Sequence, residues 1–242
     1  MPKLSNKTAV IVGCARDIEK EVSHSMSEMY RLGNEFRKFA LIVYENDSKD
    51  GTLKKLKSFS RKHTNVIILH EKNVQGHRTK RLAHGRNKLL QYARQNYGKY
   101  DFFIVMDMDF TRSNTTSLAS VASSMKPKWD AVTAVSREYY YDWWAFRCKR
   151  LNMDYDCWDD RSDTLGDCID WGTQWEVKMN NRLRKVESAF NGIAIYKFDR
   201  IPPEASYIGD MNGKEVCEHV SFNKYISNIY VYPRLVTSTW DE

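Results

Sequence analysis

Short apolar runs alternate along the first half of the chain with stretches in which apolar residues recur every three or four positions. The runs occupy residues 8–12, 39–44, 66–69, 101–106 and 131–135. Runs of this length are typical of buried strands, and the three-and-four spacing is typical of amphipathic helices. Helices are predicted at residues 18–32, 52–61, 82–97 and 115–125. Strands that alternate with helices predict an α/β domain with a mainly parallel central sheet and helices on both of its faces.

The pattern changes in the second half of the chain. Residues 137–185 are rich in aromatic and acidic side chains, and we interpret them as an insertion with its own surface rather than as a separate domain. Further on, apolar runs predict strands at residues 190–196 and 230–232, with a helix at 214–227 between them. The prediction is therefore one domain over residues 1–242, with a small antiparallel part near the C-terminus.

Composition indicates a folded protein with a sizeable core. The 242 residues are 42% hydrophobic and include seven Trp. No apolar run approaches the ~20 residues that a membrane-spanning helix needs, and the N-terminus lacks a charged-then-apolar secretory pattern. We therefore expect a soluble cytoplasmic protein without a transmembrane segment.

The spacing of the cysteines argues against a structural metal cluster. The five cysteines lie at irregular intervals and include no Cys-x-x-Cys pair, so a zinc site is not expected. Free thiols in a reducing compartment are the plain interpretation. A disulfide between Cys157 and either Cys148 or Cys168 is the alternative that the spacing leaves open.

The net charge of +7 is unevenly distributed. Residues 54–99 contain thirteen Lys or Arg against a single acid, Glu71, whereas residues 154–176 contain eight acids against a single base, Arg161. The basic segment is expected to attract polyanions, either the phosphates of a nucleotide or a nucleic acid. A solvated helix face is the plainer interpretation of the same charges.

The most informative motif is Asp107-Met108-Asp109, which directly follows the apolar run at residues 101–106. Side chains alternate along a strand, so the two carboxylates point one way and Met108 the other. Paired carboxylate oxygens suit Mg²⁺ or Mn²⁺ held between a protein and a substrate diphosphate. Acidic residues at the end of a strand are also ordinary loop chemistry, so the weight of this motif depends on its neighbours.

Polar residues also follow the other predicted strands. Residues 13–16 (Gly-Cys-Ala-Arg) come after the first strand, and residues 45–47 (Glu-Asn-Asp) come after the second. Ligands of parallel α/β sheets bind beyond the carboxyl ends of the strands, so these two loops and the aspartate pair are expected to meet. The turn-forming propensity of Asn and Asp is the alternative explanation of residues 45–47.

Two further motifs would lie near the same edge. Arg81 and Arg86 belong to the basic helix and would form paired hydrogen bonds to phosphate oxygens, unless they are part of its solvated face. Asn191 and Gly192 stand at the start of a predicted strand. Glycine permits a close backbone approach, as a sugar ring would require, although an ordinary strand-entry turn explains the pair equally well.

An acid and an imidazole lie side by side near the C-terminus, at Glu218 and His219. The carboxylate would take a proton from an attacking hydroxyl, and the imidazole would complete the coordination of a metal. The alternative is an exposed helix start with an ordinary histidine.

In this order, the motifs resemble those of nucleotide-sugar-dependent glycosyltransferases of the GT-A fold, a single Rossmann-like α/β domain. The resemblance covers about residues 8–235. In detail, residues 43–48 and 217–223 are most similar to the fungal capsule-associated mannosyltransferase-like group and to related enzymes of large DNA viruses. The resemblance implies a nucleotide-binding half at residues 8–136 and an acceptor-side half at residues 137–242.

The resemblance also implies a role for each matching residue. Asp107 and Asp109 would hold Mn²⁺ or Mg²⁺ with His219 as a candidate further ligand, and Glu218 would be the catalytic base. The donor-binding residues would be Ala15, Arg16, Glu45, Asn46, Asp47, Arg81, Arg86, Asp107, Met108, Asn191 and Gly192. Many relatives have Glu-Asp where this chain has Glu218 and His219, so it stays open whether Glu218 is the base or His219 takes a metal-binding or base role.

The resulting prediction is a metal-dependent, inverting glycosyltransferase, with no nucleic-acid partner. It would move a hexosyl or deoxyhexosyl group from a UDP- or GDP-sugar to a hydroxyl of a glycan or glycoprotein, in the cytoplasm and, for a viral enzyme, in that of the host. A sugar-phosphate nucleotidyltransferase is the first alternative, although residues 13–17 match its Gly-rich basic loop poorly. A non-enzymatic nucleic-acid-binding protein is the second, and it leaves the aspartate pair unexplained.

Overall fold

The computed structural model describes residues 4–109, 117–118, 121, 128–136, 140–158 and 183–237. In chain order, its helices and strands are β1 (Leu4–Ala15), α1 (Val22–Gly33), β2 (Phe36–Asn46), α2 (Thr52–Ser60), β3 (Val66–Glu71), α3 (Arg78–Tyr97), β4 (Phe102–Met106), β5 (Ala131–Ser136), β6 (Arg184–Val186), β7 (Ile193–Lys197), β8 (Asp210–Met211), β9 (Lys214–Glu215), α4 (Glu218–Asn223) and β10 (Ile229–Thr237). None of the helices among these residues is long and apolar enough to cross a membrane.

Eight of these strands form one sheet in the order β3-β2-β1-β4-β7-β5-β10-β6. Strands β3, β2, β1 and β4 are mutually parallel, and so are β5 and β10. Strand β7 runs antiparallel between β4 and β5, and β6 is an antiparallel edge strand. Strands β8 and β9 form a separate antiparallel hairpin. The predicted α/β class, with a mainly parallel central sheet and a small antiparallel C-terminal part, is confirmed.

The sheet divides the apolar core into two layers. Alternate side chains of β1 face opposite ways, so Ala9 and Ile11 pack in the layer that contains α1 and α2. Val10 and Val12 pack in the layer that contains α3 and α4. Strands buried on both faces have unbroken apolar sequences, which explains why the strand runs were recognisable. The polar residues that follow the parallel strands therefore emerge together at one edge of the sheet.

The first helix begins later than predicted, at Val22 rather than at residue 18. The preceding residues form a turn in which the backbone N–H of Ile18 donates to the Thr52 hydroxyl at 2.9 Å. This tertiary contact overrides the helical spacing of the sequence. The helix predicted at residues 115–125 lies outside the described residues, except for 117, 118 and 121.

The helix predicted at residues 214–227 is wrong over most of its length. Asn212 and Gly213 have positive φ angles of 57° and 83°, and they form the turn of the β8-β9 hairpin. Helical structure begins only at Glu218 and ends at Asn223. Residues 214 and 215 are strand because they pair across this hairpin.

The cysteines do not all match the expectation of free thiols. Cys14, Cys148 and Cys217 are free, whereas Cys157 is disulfide-bonded. The expectation is wrong at Cys157 because chain spacing does not show which thiols the fold brings together.

Candidate active site

A cleft of about 500 Å³ lies at the edge of the sheet where the parallel strands end. Residues at or just after the ends of β1, β2, β4, β5 and β10 line it, together with side chains of α3 and the first residues of α4. Strand β7 contributes its start rather than its end, because it runs antiparallel to its neighbours. The fold thus brings together most of the residues that the sequence singled out.

The aspartate pair lies on the floor of this cleft, immediately after β4. The backbone N–H of Asp107 donates to the carbonyl of Gly192 at 2.9 Å, so the start of β7 fixes the end of β4. The Met108 side chain is buried in the core layer of α1, and its carbonyl accepts a hydrogen bond from the Ser25 hydroxyl at 2.7 Å. These contacts hold the segment between the two carboxylates.

The floor of the cleft concentrates negative charge. Burial raises the pKa of Asp107 to about 7; Arg86 opposes this shift, while Asp109, Asp142 and Glu218 add to it. The Asp107 side chain is nevertheless 38% exposed to the cleft, so its oxygens are accessible. A carboxylate surrounded by other carboxylates favours the binding of a cation, which would relieve their mutual repulsion.

The chemistry of Asp107 and Asp109 fits Mn²⁺ or Mg²⁺, since both cations prefer carboxylate oxygens. Among the residues that the structure describes, no three His, Cys, Asp or Glu side chains form a complete metal cluster. A cation here would therefore need substrate or water oxygens, as Mg²⁺ does when it is held by one or two carboxylates and a phosphate.

Arg86 occupies the centre of the site and is only 6% exposed. One terminal nitrogen donates to Asp107 Oδ1 at 3.2 Å. Its Nε lies 3.0 Å from Glu218 Oε1 but is not aimed at it, so this contact is an ion pair without a hydrogen bond. The guanidinium also faces the rings of Phe190, at 5.0 Å, and Tyr207, at 6.0 Å. Burial lowers the pKa of Arg86, but Glu218 and Asp107 outweigh that effect and raise it above its usual value.

Glu218 and His219 are the first residues of α4, and both are buried. The imidazole stacks on Phe190 with 3.6 Å between ring centroids and meets Tyr207 edge-on at 5.8 Å. Burial, followed by Arg86, holds the pKa of His219 well below its usual value, so the ring is neutral. Its Nε2 lies 3.8 Å from Glu218 Oε1. Neither ring nitrogen has a hydrogen-bond partner among the described residues.

The residues at the ends of β1 and β2 that were predicted to bind the donor are of two kinds. Some line the cleft, and others support neighbouring parts of the chain. Ala15, Arg16 and Asn46 line the cleft, but Glu45 and Asp47 do not. The oxygens of Glu45 accept from the backbone N–H of residue 48 at 2.9 Å and contact the imidazole of residue 70 at 2.6 Å. Asp47 has a φ of 54° and accepts from the N–H groups of residues 73 and 74. Both acids thus hold neighbouring loops in place.

Basic side chains gather around another part of the cleft lining. Arg16, Arg78 and Arg81 all contribute to it. Arg81 donates to the carbonyl of Gly76, in the loop that precedes α3. His77 caps this helix and is paired with the β8-β9 hairpin. Arg78 and Arg81 are therefore carried by a helix whose start is held by the β8-β9 hairpin, whereas Arg16 follows β1.

The Asn191 side chain is used within the protein. Its carbonyl oxygen accepts from the backbone N–H groups of Tyr141 and Asp142, at 3.0 and 3.1 Å, and its amide contacts the hydroxyls of Ser136 and Thr237, at 3.1 and 3.4 Å. Asn191 and Gly192 both line the cleft and have positive φ angles of 56° and 84°. Asn191 therefore joins the ends of β5 and β10 to the aromatic segment.

Sequence reasoning missed Asp142 as a residue of the site. It lines the cleft, and its carboxylate accepts from the backbone N–H groups of Asn191 and Ala145, both at 3.2 Å. Burial raises the pKa of Asp142, partly offset by these two hydrogen bonds. Its position within the run Tyr139–Trp144 marked the segment as unusual, but no spacing rule distinguished this acid from the others nearby.

The comparisons with known proteins identify the fold. No protein-family model matches the chain, and no curated protein matches it in sequence. Among solved structures, the mannosyltransferase PcManGT from Pyrobaculum calidifontis, in complex with GDP-Man and Mn²⁺, is similar with a TM-score of 0.56 and 13% identity over 99% of this chain. S. aureus TarS 1-349 in complex with UDP-GlcNAc is similar with a TM-score of 0.57 and 14% identity over 98% of this chain.

The chain covers 59% of each of these two solved chains. At such low identity the likeness concerns the fold alone. The GT-A fold that the sequence motifs implied is therefore confirmed, as a single α/β domain of the kind found in these glycosyltransferases.

Proposed function

We propose that this chain is a metal-dependent glycosyltransferase that moves a sugar from a nucleoside-diphosphate sugar to an acceptor hydroxyl. The observation that carries the proposal is the position of Asp107 and Asp109 in a cleft that Arg16, Arg78 and Arg81 also line. The nucleoside and diphosphate of the donor would lie along the arginines. The carboxylates would lie where the diphosphate meets the transferred sugar.

The metal would be held by Asp107 and Asp109. Within the described part of the chain, His219 forms no three-ligand cluster with these two carboxylates, so the expectation that it is a further ligand is not kept. Oxygens of the diphosphate and of water would complete the coordination. When bound, a divalent cation offsets the charge that accumulates on a departing diphosphate. The arginines of the cleft would add charge-assisted hydrogen bonds to the same oxygens. Gly192 would lie beside the sugar, because its carbonyl holds the backbone of Asp107.

Glu218 is the proposed catalytic base, and the proposed reaction inverts the anomeric centre. An acceptor oxygen would bond to the anomeric carbon as the bond from that carbon to the diphosphate oxygen breaks, with its electron pair going to the diphosphate. The acceptor proton would pass to Glu218. Arg86 supports this role because it fixes Glu218 from one side and Asp107 from the other, so that base and metal ligand share one anchor.

We also propose the donor nucleotide, the class of acceptor and the sequence relationship of the chain. The two similar structures bind a GDP-sugar and a UDP-sugar, and we propose one of these two donors for this chain. The acceptor would be a glycan or a glycoprotein, and the chain would act in the cytoplasm. Its sequence relationship would be to the fungal capsule-associated group and to the enzymes of large DNA viruses.

A thermal-shift panel of UDP-, GDP-, dTDP- and CMP-sugars, each with and without Mn²⁺, tests the proposal. A ligand at 100 times its Kd stabilises the native state by about 2.7 kcal/mol, which is roughly 5–10 °C for a domain of this size. One donor is expected to give this shift only with Mn²⁺. The variant Asp109→Asn should lose it, whereas Asp199→Asn, which changes a 74% exposed carboxylate, should keep it.

Two outcomes would contradict the proposal. One is the absence of a shift with every donor, and the other is a shift that is the same without Mn²⁺ and in the Asp109→Asn variant. Once the donor is known, proton NMR of the product would test inversion through the anomeric coupling constant.

A further inference from the structure

The aromatic segment after β5 divides its side chains between the core and the cleft. Tyr140, Trp143 and Phe146 are buried, and their ring centroids lie 5.0–5.3 Å apart. Trp144 and Trp158, by contrast, line the cleft, as does Tyr141. The buried cluster thus anchors the segment, and a second set of aromatic rings is left facing the same cavity as the aspartate pair.

The two tryptophans of the cleft are held by one carboxylate, that of Asp156. The indole N–H of Trp144 donates to Asp156 Oδ2 at 3.2 Å, and the backbone N–H of Trp158 donates to Asp156 Oδ1 at 2.9 Å. Arg147 lies 3.5 Å from the same carboxylate, and it also donates to the backbone carbonyls of Trp144 and Phe146. The polar edge of Trp144 is therefore engaged with the protein.

Two rings of this set, Tyr141 and Trp158, are exposed to the cleft, whereas Trp144 is half-buried and packs partly against the core. The residue Trp158 is 57% exposed and Tyr141 is 53% exposed, although both line a cavity. Within the described part of the chain, neither Trp144 nor Trp158 stacks on another aromatic ring. Exposure of large apolar side chains costs free energy in water, and such surfaces commonly mark binding sites.

The carboxylate of Asp142 lines the same cleft as the aromatic rings. Asp142 accepts one backbone hydrogen bond on each oxygen, and each carboxylate oxygen has a second lone pair. The Asp142 carboxylate can therefore accept further hydrogen bonds from hydroxyl groups of a ligand. Flat apolar faces beside a hydrogen-bond acceptor match the two surfaces of a pyranose, the C–H face and the ring of hydroxyls.

We propose that Tyr141, Asp142, Trp144 and Trp158 form a subsite for one neutral pyranose ring, with Asp156 as the positioning residue that holds both tryptophans. The assignment of this ring to the acceptor rests on the proposed glycosyl transfer. A neutral ring is favoured over a phosphorylated one because the Asp142 carboxylate would repel an anion. The acceptor is thus a sugar hydroxyl rather than that of a phosphate-bearing group.

The test is saturation-transfer-difference NMR on the full chain, with an excess of the nucleoside diphosphate that it binds and of Mg²⁺. This cation is diamagnetic and leaves the proton resonances sharp. The probes are the methyl glycosides of glucose, galactose, mannose, xylose, fucose and N-acetylglucosamine, with glycerol 3-phosphate as the anionic comparison. At least one pyranoside is expected to receive saturation at its ring C–H protons. Trp158→Ala should weaken its binding about tenfold, the value of one aromatic stacking contact.

Tyr225→Ala is the matched control, because Tyr225 is a 37% exposed aromatic residue that does not line the cleft. It should leave binding of the pyranoside unchanged. The positioning role of Asp156 has its own readout, the ¹⁵N–¹H resonance of the Trp144 indole. Asp156→Ala should move this resonance and weaken pyranoside binding, whereas Asp156→Asn, which keeps an acceptor oxygen, should restore both.

The outcomes separate this inference from the proposed function. If no pyranoside binds a protein that does bind nucleotide with Mn²⁺, or if Trp158→Ala and Tyr225→Ala behave alike, the subsite is refuted and the proposed function stands. If glycerol 3-phosphate binds in place of the pyranosides, the neutral-ring assignment is refuted. If a pyranoside binds but no nucleotide does, the subsite stands and the proposed function fails.

Discussion

Replacing Arg86 with methionine should destabilise this protein more than almost any other single change in the cleft. The guanidinium is 6% exposed, and its partner Glu218 is 5% exposed. The substitution Arg86→Met keeps much of the side-chain volume between Phe190 and Tyr207 but removes the charge. Glu218 would then be a buried carboxylate without a counter-ion, whereas Asp107, at 38% exposure, would still reach solvent.

The expected cost follows from this difference in burial. Removing one partner of a buried ion pair costs about 3–5 kcal/mol, because the other charge stays buried and uncompensated. Loss of the ion pair between Arg86 and Asp107 adds little to this cost, since exposed ion pairs contribute about 0–1 kcal/mol. A domain is stable by only about 5–15 kcal/mol, so Arg86→Met should remove about a fifth or more of the total. Its melting temperature should fall by roughly 6–20 °C.

Urea denaturation at pH 7 measures this effect, with Arg200→Met as the control. Arg200 is 50% exposed and lies 3.7–3.8 Å from its two carboxylate partners, so its loss should cost less than about 1 kcal/mol. The double variant Arg86→Met, Glu218→Gln should recover more than half of the lost free energy of unfolding, because neither charge of this ion pair remains buried. A cost below about 1 kcal/mol for Arg86→Met, or no recovery in the double variant, would refute the reasoning.

Two further predictions concern stability. The pKa of Glu71 is lowered from 4.5 to about 2, chiefly by Lys88, so its stabilising effect is complete above pH 4.5 and lost as the pH falls toward 2. Glu71→Gln should cost about 1–2 kcal/mol at pH 7, after allowance for its partial exposure, and much less at pH 2. A cost independent of pH in urea denaturation would contradict this. Gly209→Ala would place a methyl group against the backbone carbonyl of Thr79 and should cost about 1–3 kcal/mol; an unchanged melting temperature would contradict it.

The strands that deliver the site were predictable because they are buried on both faces. An unbroken apolar run such as the one before Asp107 has few other structural explanations, and a polar residue that follows it must lie at the edge of the sheet. The antiparallel direction of β7 could not be predicted. It depends on which neighbours β7 pairs with, and this pairing is what brings Gly192 within 2.9 Å of the Asp107 backbone.

The role of each residue in the site was harder to predict than its presence there. Arg86 was expected near a phosphate because of its charge, but its burial between two carboxylates depends on the packing of α3 against α4. Glu45 and Asp47 follow a strand as a ligand-binding loop would, yet their oxygens are taken by neighbouring loops. Whether an acid faces inward or outward depends on contacts distant in sequence, and only the folded structure supplies them.

The central claim, that the sugar moves and the nucleoside diphosphate leaves, can be tested directly by ³¹P NMR. The protein is incubated with Mn²⁺ and the nucleotide sugar that gives the largest thermal shift, with and without a pyranoside acceptor. EDTA is added before the spectrum is recorded, because paramagnetic Mn²⁺ broadens phosphorus resonances. The account predicts the two resonances of a free nucleoside diphosphate, formed faster with acceptor and absent in Asp109→Asn. A nucleoside monophosphate with a sugar phosphate, a nucleoside triphosphate in the presence of pyrophosphate, or an unconsumed donor would contradict it.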